Sequence, residues 1–325
     1  MHLLARRRLL IASALAAGLP ARAALSTLPA PQDGAWLDAA RQRSLPWRLR
    51  LPEGSEPWPL VVYSHGLGGS RDGGTRWGRA WAEAGLAVLH LQHPGSDLDT
   101  LRGGLGALRA AGNAQQLLAR VADVRFALDE IARHAALDEG PWASLRADAL
   151  GMAGHSFGAH TTQALAGQRY RVPGDLSDPR LRAFIALSPA SPPGASVQAA
   201  FGAIRRPFLA VTGSLDGDPF GSYASGEPRA AVYEGLPPGQ RALLWLDGAD
   251  HSSFGGGVPE ALVGRVGRVG LSRPASARER EAAHAALVAH VTTLWWRAHL
   301  CDDTAARQAL VRPAGLSEGD RWSLG

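Results

Sequence analysis

The sequence predicts an α/β fold, a single open and mostly parallel sheet with helices on both faces. Three observations predict it. Short apolar runs recur along the chain: Leu60–Ser64, Ala87–Leu91, Ala183–Leu187, Pro207–Val211 and Ala242–Leu246. They lack the polar alternation of a one-sided sheet, as strands buried on both faces do. Stretches of helical periodicity lie between strands along the chain, which favours helix-covered parallel strands. The unit from Leu60 to Leu91 is strand–helix–strand, which needs a crossover and favours a parallel pair.

The elements follow in order. Residues 24–40 form a polar, Pro-containing lead-in. Ser44–Leu51 alternates and reads as an early, half-exposed strand, with Pro46 suited to a sheet edge. Glu53 to Pro57 makes a turn. Leu60–Ser64 ends at His65-Gly66-Leu67-Gly68-Gly69, and a helix from about Thr75 to Ala84 leads to Ala87–Leu91. Residues 93–112 are a long Gly-containing excursion, and a long loop at a strand end is more often functional than accidental. Leu117, Val121, Val124, Leu128 and Ile131 recur on one face of the clearest helix. After a polar loop from Arg169 to Leu181 come the last three strands. Between Leu187 and Pro207 there is no room for a large cap domain. Ser276 and Glu279 make a capping box that opens the last helix, with Leu287, Val291, Leu294 and Trp295 facing inward. Gly264–Gly270 reads as loop.

Composition narrows the function. All 34 basic residues are arginine, so Schiff-base lysines, pyridoxal phosphate anchoring and the P-loop lysine are excluded. Residues 1–23 carry Arg6, Arg7 and Arg8, an apolar run from Leu9 to Leu19 and the small-residue site Ala21-Arg22-Ala23. That is the pattern of a secretory signal, and Arg6-Arg7-Arg8-Leu9-Leu10 also fits a twin-arginine signal. The apolar run is about a dozen residues against the ~20 needed to cross a bilayer, so no membrane span is expected. Removing the segment, with its four arginines and no acids, reduces the net charge from +5 to about +1 (5 − 4). No nucleic-acid or acidic-membrane partner follows from such a balance. The expected product is a periplasmic or secreted protein whose single domain spans residues 24–325. Cys301 is the only cysteine, which excludes an internal disulfide, and it reads as a small buried filler.

The chemistry centres on Gly154-His155-Ser156-Phe157-Gly158. An apolar strand leads in and an Ala-rich helix leads out, the context a G-x-S-x-G elbow needs. Glycine two residues before and two after the serine lets strand and helix pass closely while the hydroxyl is pushed out of the sheet. In a parallel sheet, ligands bind beyond the carboxyl ends of the strands, so partners are sought there. His251, after the last strand, is the candidate base. His155 sits at the elbow pointing away from the serine, His160 lies on the following helix, and His65 reads as a backbone brace. His90 and His93 have a metal-like spacing but no third ligand, so no metal is expected. Asp216 is the candidate acid, with Asp218 as rival and Asp247 and Asp250 nearby; any of these carboxylates can instead cap a turn. The backbone N–H groups of Phe157 and Leu67 are the candidate oxyanion donors.

Ser64-His-Gly-Leu-Gly-Gly69, Gly154-His-Ser-Phe-Gly158, Gly213-Ser-Leu-Asp216 and Asp247-Gly-Ala-Asp-His251 together resemble the α/β-hydrolase superfamily. Within it they are similar to the dienelactone-hydrolase-like branch that also holds the platelet-activating-factor acetylhydrolases and the bacterial polyester hydrolases. The resemblance runs from about Trp47 to the last helix. It implies an α/β-hydrolase fold and carboxylic-ester hydrolysis by Ser156, Asp216 and His251, with Leu67 and Phe157 as the hole, and no cofactor. The order Ser, Asp, His is the order of that superfamily. Dienelactone hydrolases proper use cysteine where this chain has Ser156. The acetylhydrolases place the acid one strand earlier, where this chain has Ser188 and Ser191, so Asp216 fits the polyester-hydrolase pattern better. Polyester hydrolases often carry C-terminal disulfides, which this chain cannot form. The expected substrate is a small or polymeric ester, bound in an open site shaped by residues 93–112, 169–181 and 253–275, with nearby tryptophans holding apolar groups. An acyltransferase or peptidase on the same triad, or a catalytically silent binding protein, are the alternatives.

Overall fold

The computed structural model describes residues 28–54, 57–172, 174–191, 194, 196–219, 221–257 and 273–325. The expected leader and the Gly264–Gly270 stretch lie outside them. The strands are β1 (Gln32–Asp38), β2 (Arg43–Arg50), β3 (Trp58–Ser64), β4 (Ala87–Leu91), β5 (Leu145–His155), β6 (Leu181–Leu187), β7 (Phe208–Leu215), β8 (Arg241–Asp250) and β9 (Arg321–Leu324). The helices are α1 (Thr75–Glu83), α2 (Leu98–Arg102), α3 (Leu105–Ala111), α4 (Ala114–Ala136), α5 (Phe157–Ala166), α6 (Val197–Phe201), α7 (Glu227–Gly235), α8 (Ala275–Glu279), α9 (Glu281–Leu300) and α10 (Thr304–Val311).

All nine strands join one sheet in the order β1-β2-β4-β3-β5-β6-β7-β8-β9. From β4 to β8 every pairing is parallel, while β2 is antiparallel to β1 and β4, and β9 to β8. This is the open, mostly parallel sheet expected of the α/β-hydrolase fold. The pleat sends successive side chains to opposite faces. Leu60 and Val62 enter one core with Leu117, Val121 and Val124 of α4, and Val61 and Tyr63 enter the other with Trp77, Trp81, Val291 and Trp296. Both cores are sealed, so the strands read as unbroken apolar runs rather than alternating ones. Each fully buried Val or Leu contributes roughly 1.5–3 kcal/mol of transfer free energy.

Register aligns the functional ends. Ser64 stands opposite Gly154, His155 opposite Leu187, and Leu187 opposite Val211. The chain segments that leave β3, β5, β6, β7 and β8 therefore emerge along one rim. The excursion over 93–112 folds into α2 and α3, and it is tied to the loop after β3. Gly68 N–H donates to Ser96 O at 2.9 Å, and Gly69 pairs with Asp97 in an isolated bridge.

Several expectations are corrected. Residues 32–38 of the supposed lead-in form β1, because Trp36 and Asp38 alternate into the core while their neighbours face water. β2 lies between β1 and β4 and is not an edge; Pro46 faces Ala35 of β1 and is tolerated because the pairing of β2 with β4 begins only at Trp47, opposite Leu91. The capping box at Ser276 and Glu279 does not form. Pro274 is the N-cap of α8, Ser276 lies inside it, and the chain breaks at Arg280 before α9 begins. α10 and β9 follow the helix read as last, and Cys301 is exposed rather than buried, at the C-cap of α9. The tryptophans serve packing: Trp36, Trp47 and Trp142 cluster with ring centroids 5.1–5.2 Å apart, and Trp81 meets Trp296 edge-on at 5.7 Å.

Candidate active site

Ser156 occupies the turn between β5 and α5 with φ 55° and ψ −115°, a conformation a β-carbon disfavours. Such strain costs about 1–3 kcal/mol and persists only where the surroundings enforce it. Here close packing enforces it. A β-carbon added to Gly154 would lie 2.3 Å from the Gly158 oxygen, and one on Gly158 would lie 1.9 Å from the Ser64 oxygen. Strand, helix and the neighbouring β3 thus meet backbone to backbone, and the serine hydroxyl has one way out.

The structure brings the three candidate side chains into one line. His251, in the 3-10 turn after β8, has Nε2 2.9 Å from Ser156 Oγ. Its Nδ1 lies 2.8 Å from Asp216 Oδ1. If Nδ1–H donates to the carboxylate, Nε2 is left free to accept from the serine. His251 is 19% exposed while Asp216 is sealed, so the ring is reachable from the surface and its partner is not. Thr212 Oγ1 donates to Asp216 Oδ2 at 2.8 Å, and Arg229 Nε lies 3.0 Å from Oδ1. Burial opposes the charge on Asp216, but the His251 bond and the Arg229 cation outweigh it and hold the carboxyl below its ordinary range. Asp216 is therefore ionised at neutral pH.

The rival residues go elsewhere. Asp218 Oδ2 accepts from Ser222 N–H at 3.0 Å, closing a turn. Asp250 caps the 3-10 turn through Ser253 and pairs with Arg273. Asp247 meets Ser214 and Arg280. His155 points away from Ser156: its Nε2 lies 3.0 Å from the His251 carbonyl and its ring packs 4.7 Å from the His251 ring. Burial and the His251 neighbour push His155 down to about 3, so it braces the candidate base His251 as a neutral ring. Within the expected 169–181 wall, the Tyr170 hydroxyl donates to His160 O at 3.1 Å in the first turn of α5, but residues 174–179 lie away from this site. Asp178 N–H bonds Leu165 O at the far end of α5, a ten-residue helix about 15 Å long. Residues 174–179 line instead a separate cavity of 610 Å³ with Arg205 and Arg206. Of the stretch 253–275, residues 258–272 lie outside the described residues.

Phe157 N–H opens α5 and Leu67 N–H lies in the loop after β3. Neither meets a hydrogen-bond acceptor among the described residues. A helix N-terminus leaves such donors free and adds a partial positive charge. The Leu67 loop packs against the α2–α3 excursion: a β-carbon on Gly68 would lie 2.9 Å from Leu108 Cδ1, and one on Gly112 would lie 3.5 Å from Leu67 Cδ2.

Behind this loop lies a buried polar layer that sequence reading missed. His93 Nδ1 lies 2.9 Å from Asp123 Oδ2, and its Nε2 lies 2.9 Å from Ser64 Oγ. This repeats the chemistry of the Ser156 line, but all three side chains are sealed from solvent. Asp123 is held also by Arg41 and Arg43, and its charge is stabilised despite burial. Burial drives His93 down to about 4 and His65 well below its usual value, so both rings are neutral at pH 7. His65 Nε2 accepts from His93 N–H at 3.0 Å, which leaves Nδ1–H to donate to Gly66 O at 2.6 Å. Arg120 completes the layer. It is fully buried, and burial lowers its pKa to about 9, where it is still a cation at pH 7. One signal for this layer was available: Arg120 and Asp123 interrupt the apolar face of α4 among Leu117, Val121 and Val124. No pattern marked Arg229. His90 belongs to neither cluster, its Nδ1 lying 2.9 Å from Gly73 O. Among the described residues no group of three or more His, Cys, Asp or Glu is placed to hold a metal ion. Among them, too, no helix is long and apolar enough to cross a membrane.

No protein-family model and no curated protein matches the chain. Among solved structures it is similar to one of a 2,6-dihydroxy-pseudo-oxynicotine hydrolase, at 17% identity and a TM-score of 0.49. That alignment covers 69% of this chain and 62% of the neighbour, so the chain spans less than two thirds of the neighbour's length.

Proposed function

We propose that this chain is an exported serine hydrolase that cleaves carboxylic esters through an acyl-enzyme on Ser156. The observation that carries the reading is the continuous line from Ser156 Oγ to His251 Nε2, 2.9 Å, and from His251 Nδ1 to Asp216 Oδ1, 2.8 Å. Ser156 attacks the ester carbonyl as His251 takes its proton, which answers the weak nucleophilicity of a free hydroxyl. Asp216 holds the ring in the accepting tautomer and stabilises the imidazolium. The tetrahedral oxyanion sits between the N–H groups of Leu67 and Phe157, each worth about 3–4 kcal/mol in the transition state. His251 then returns the proton to the leaving alcohol, and water, activated by the same ring, releases the acyl group. The serine nucleophile and the acid after β7 favour the polyester-hydrolase-like end of the branch named above. The arginine-led apolar segment at residues 1–23 supports export to the periplasm or beyond.

The test is turnover of p-nitrophenyl esters of graded acyl length, set against peptide substrates and run with and without added alcohol. Ester hydrolysis that disappears in Ser156→Ala supports the proposal. Preferential transfer to the alcohol, or cleavage of peptides alone, would replace it with the acyltransferase or peptidase reading. A folded but inert wild-type chain would leave only a binding protein.

A further inference from the structure

One buried side chain touches both segments that carry the candidate oxyanion donors. Arg120 Nη1 donates to His65 O at 2.6 Å, and Nη2 lies 3.5 Å from Gly66 O. Nε donates to Ser96 Oγ at 2.8 Å, and Nη2 to Ser96 O at 3.2 Å. On the other side, the guanidinium carbon stands 4.5 Å from the centre of the Phe157 ring. The Gly66 carbonyl shares its peptide unit with the Leu67 N–H, and a planar trans peptide points the two in opposite directions. Whatever holds the carbonyl therefore aims the N–H. Gly66 O is held by His65 Nδ1–H at 2.6 Å and by Gly69 N–H at 3.1 Å, with the guanidinium charge behind.

We infer that Arg120 is a positioning residue for the hydrolysis proposed above: it fixes the His65–Gly66–Leu67 backbone and the Phe157 ring together, and so sets the two N–H donors against the oxyanion. This rests on the serine hydrolase reading. The guanidinium never touches substrate, because it is sealed behind the loop. Its fork fits the task where an ammonium would not, since it reaches two consecutive carbonyls, Ser96 and an aromatic face at once. Its cationic charge lies on the carbonyl side of the Gly66–Leu67 peptide, where it polarises that unit and strengthens the N–H as a donor. Asp123 does not depend on Arg120, being held by Arg41, Arg43 and His93; the buried Asp97, whose charge Arg120 also faces, keeps its hydrogen bond from Gln92 Nε2 at 2.9 Å.

The experiment measures the second-order rate of inactivation by a fluorophosphonate, whose phosphoryl oxygen occupies the hole, across pH. Wild type, Arg120→Met and Arg120→Lys are compared, with thermal unfolding alongside. Arg120→Met is expected to react about 10- to 100-fold more slowly, with the midpoint of the pH profile unmoved because the His251–Asp216 pair is untouched. Arg120→Lys keeps the charge but loses the fork, and is expected to stay slow while unfolding near the wild-type temperature. A folded Arg120→Met that reacts within about twofold of wild type overturns the inference. A loss accompanied by a displaced pH midpoint also overturns it, since the effect then runs through the triad. If neither variant folds, the role is structural and the inference fails. A wild-type chain that neither takes the probe nor turns over esters instead sinks the hydrolase reading itself.

Discussion

Gly158→Ala tests whether the elbow is held by backbone contact. The added β-carbon would lie 1.9 Å from the Ser64 oxygen, 2.6 Å from the Ser64 carbonyl carbon and 2.9 Å from the His65 oxygen. All three are main-chain atoms on β3 or just beyond it, so no side-chain rotation relieves the clash. Non-bonded carbon and oxygen settle at roughly 3.3–3.6 Å, so α5 must retreat from β3 by about 1.5 Å. Overpacking of a sealed interface costs about 1–3 kcal/mol, and rigid backbone puts this case at the upper end. Function suffers more. The retreat carries Phe157 N–H and Ser156 away from Leu67 and His251, and a displacement of about 1 Å at a reacting group costs roughly 100-fold in rate. Urea denaturation and fluorophosphonate inactivation, each followed in the same preparations, measure the two effects. Gly106→Ala in α3 is the matched control. That residue has no atom within 4 Å of an added β-carbon, so it is expected to gain about 0.5–1 kcal/mol and keep full reactivity. If Gly158→Ala matches its control in both stability and reactivity, the packing argument for the elbow is wrong.

Two further predictions concern charge. Asp216→Asn removes the buried carboxylate that selects the His251 tautomer, and kcat for ester hydrolysis is expected to fall by about 10³- to 10⁴-fold with KM little changed. A loss under tenfold would point to another acid. Acid sensitivity follows from the sealed histidines. His93 is lowered to about 4 and His90 and His155 to about 3, each chiefly by burial. The unfolded chain protonates these rings near pH 6.5, so stability is full above that value and is lost as pH falls toward the folded pKa values. For a ring at about 4 the loss between pH 7.5 and 5 is about 2 kcal/mol. Asp123 adds a loss of the same sign at lower pH, because its depressed pKa stabilises the fold only while the carboxylate is charged. Urea melts at pH 7.5, 6.5 and 5 check this; a flat response would mean the rings are solvated.

The sheet was legible because its strands are apolar on both faces, and β4 falls where Ala87–Leu91 put it. β1 and β9 were not, being edge strands whose sequences mix Gln, Asp, Arg and Ser with a single tryptophan each. At the candidate site, the residues that sit at strand ends with distinctive chemistry were readable: Ser156 by its glycines, His251 and Asp216 by their place after β8 and β7. Asp216 was ranked above Asp218, Asp247 and Asp250 by its place after β7 and by chain order, with the resemblance adding to that, since carboxylates in turns look alike until the hydrogen bonds are seen. Arg120, Asp123 and Arg229 act through contacts 12 to more than 50 residues away in the chain, and no local pattern encodes such partners. The tryptophans misled for a related reason. Bulk and aromaticity suit a binding wall and a core equally, and here the core received them.

The proposed chemistry depends on the reactivity of one hydroxyl. Wild-type protein treated with a fluorophosphonate and digested should carry a single adduct on the peptide containing Ser156, and His251→Ala should carry little or none while remaining folded. An adduct on a different residue, undiminished labelling in His251→Ala, or no adduct on folded wild-type protein would contradict the proposed triad.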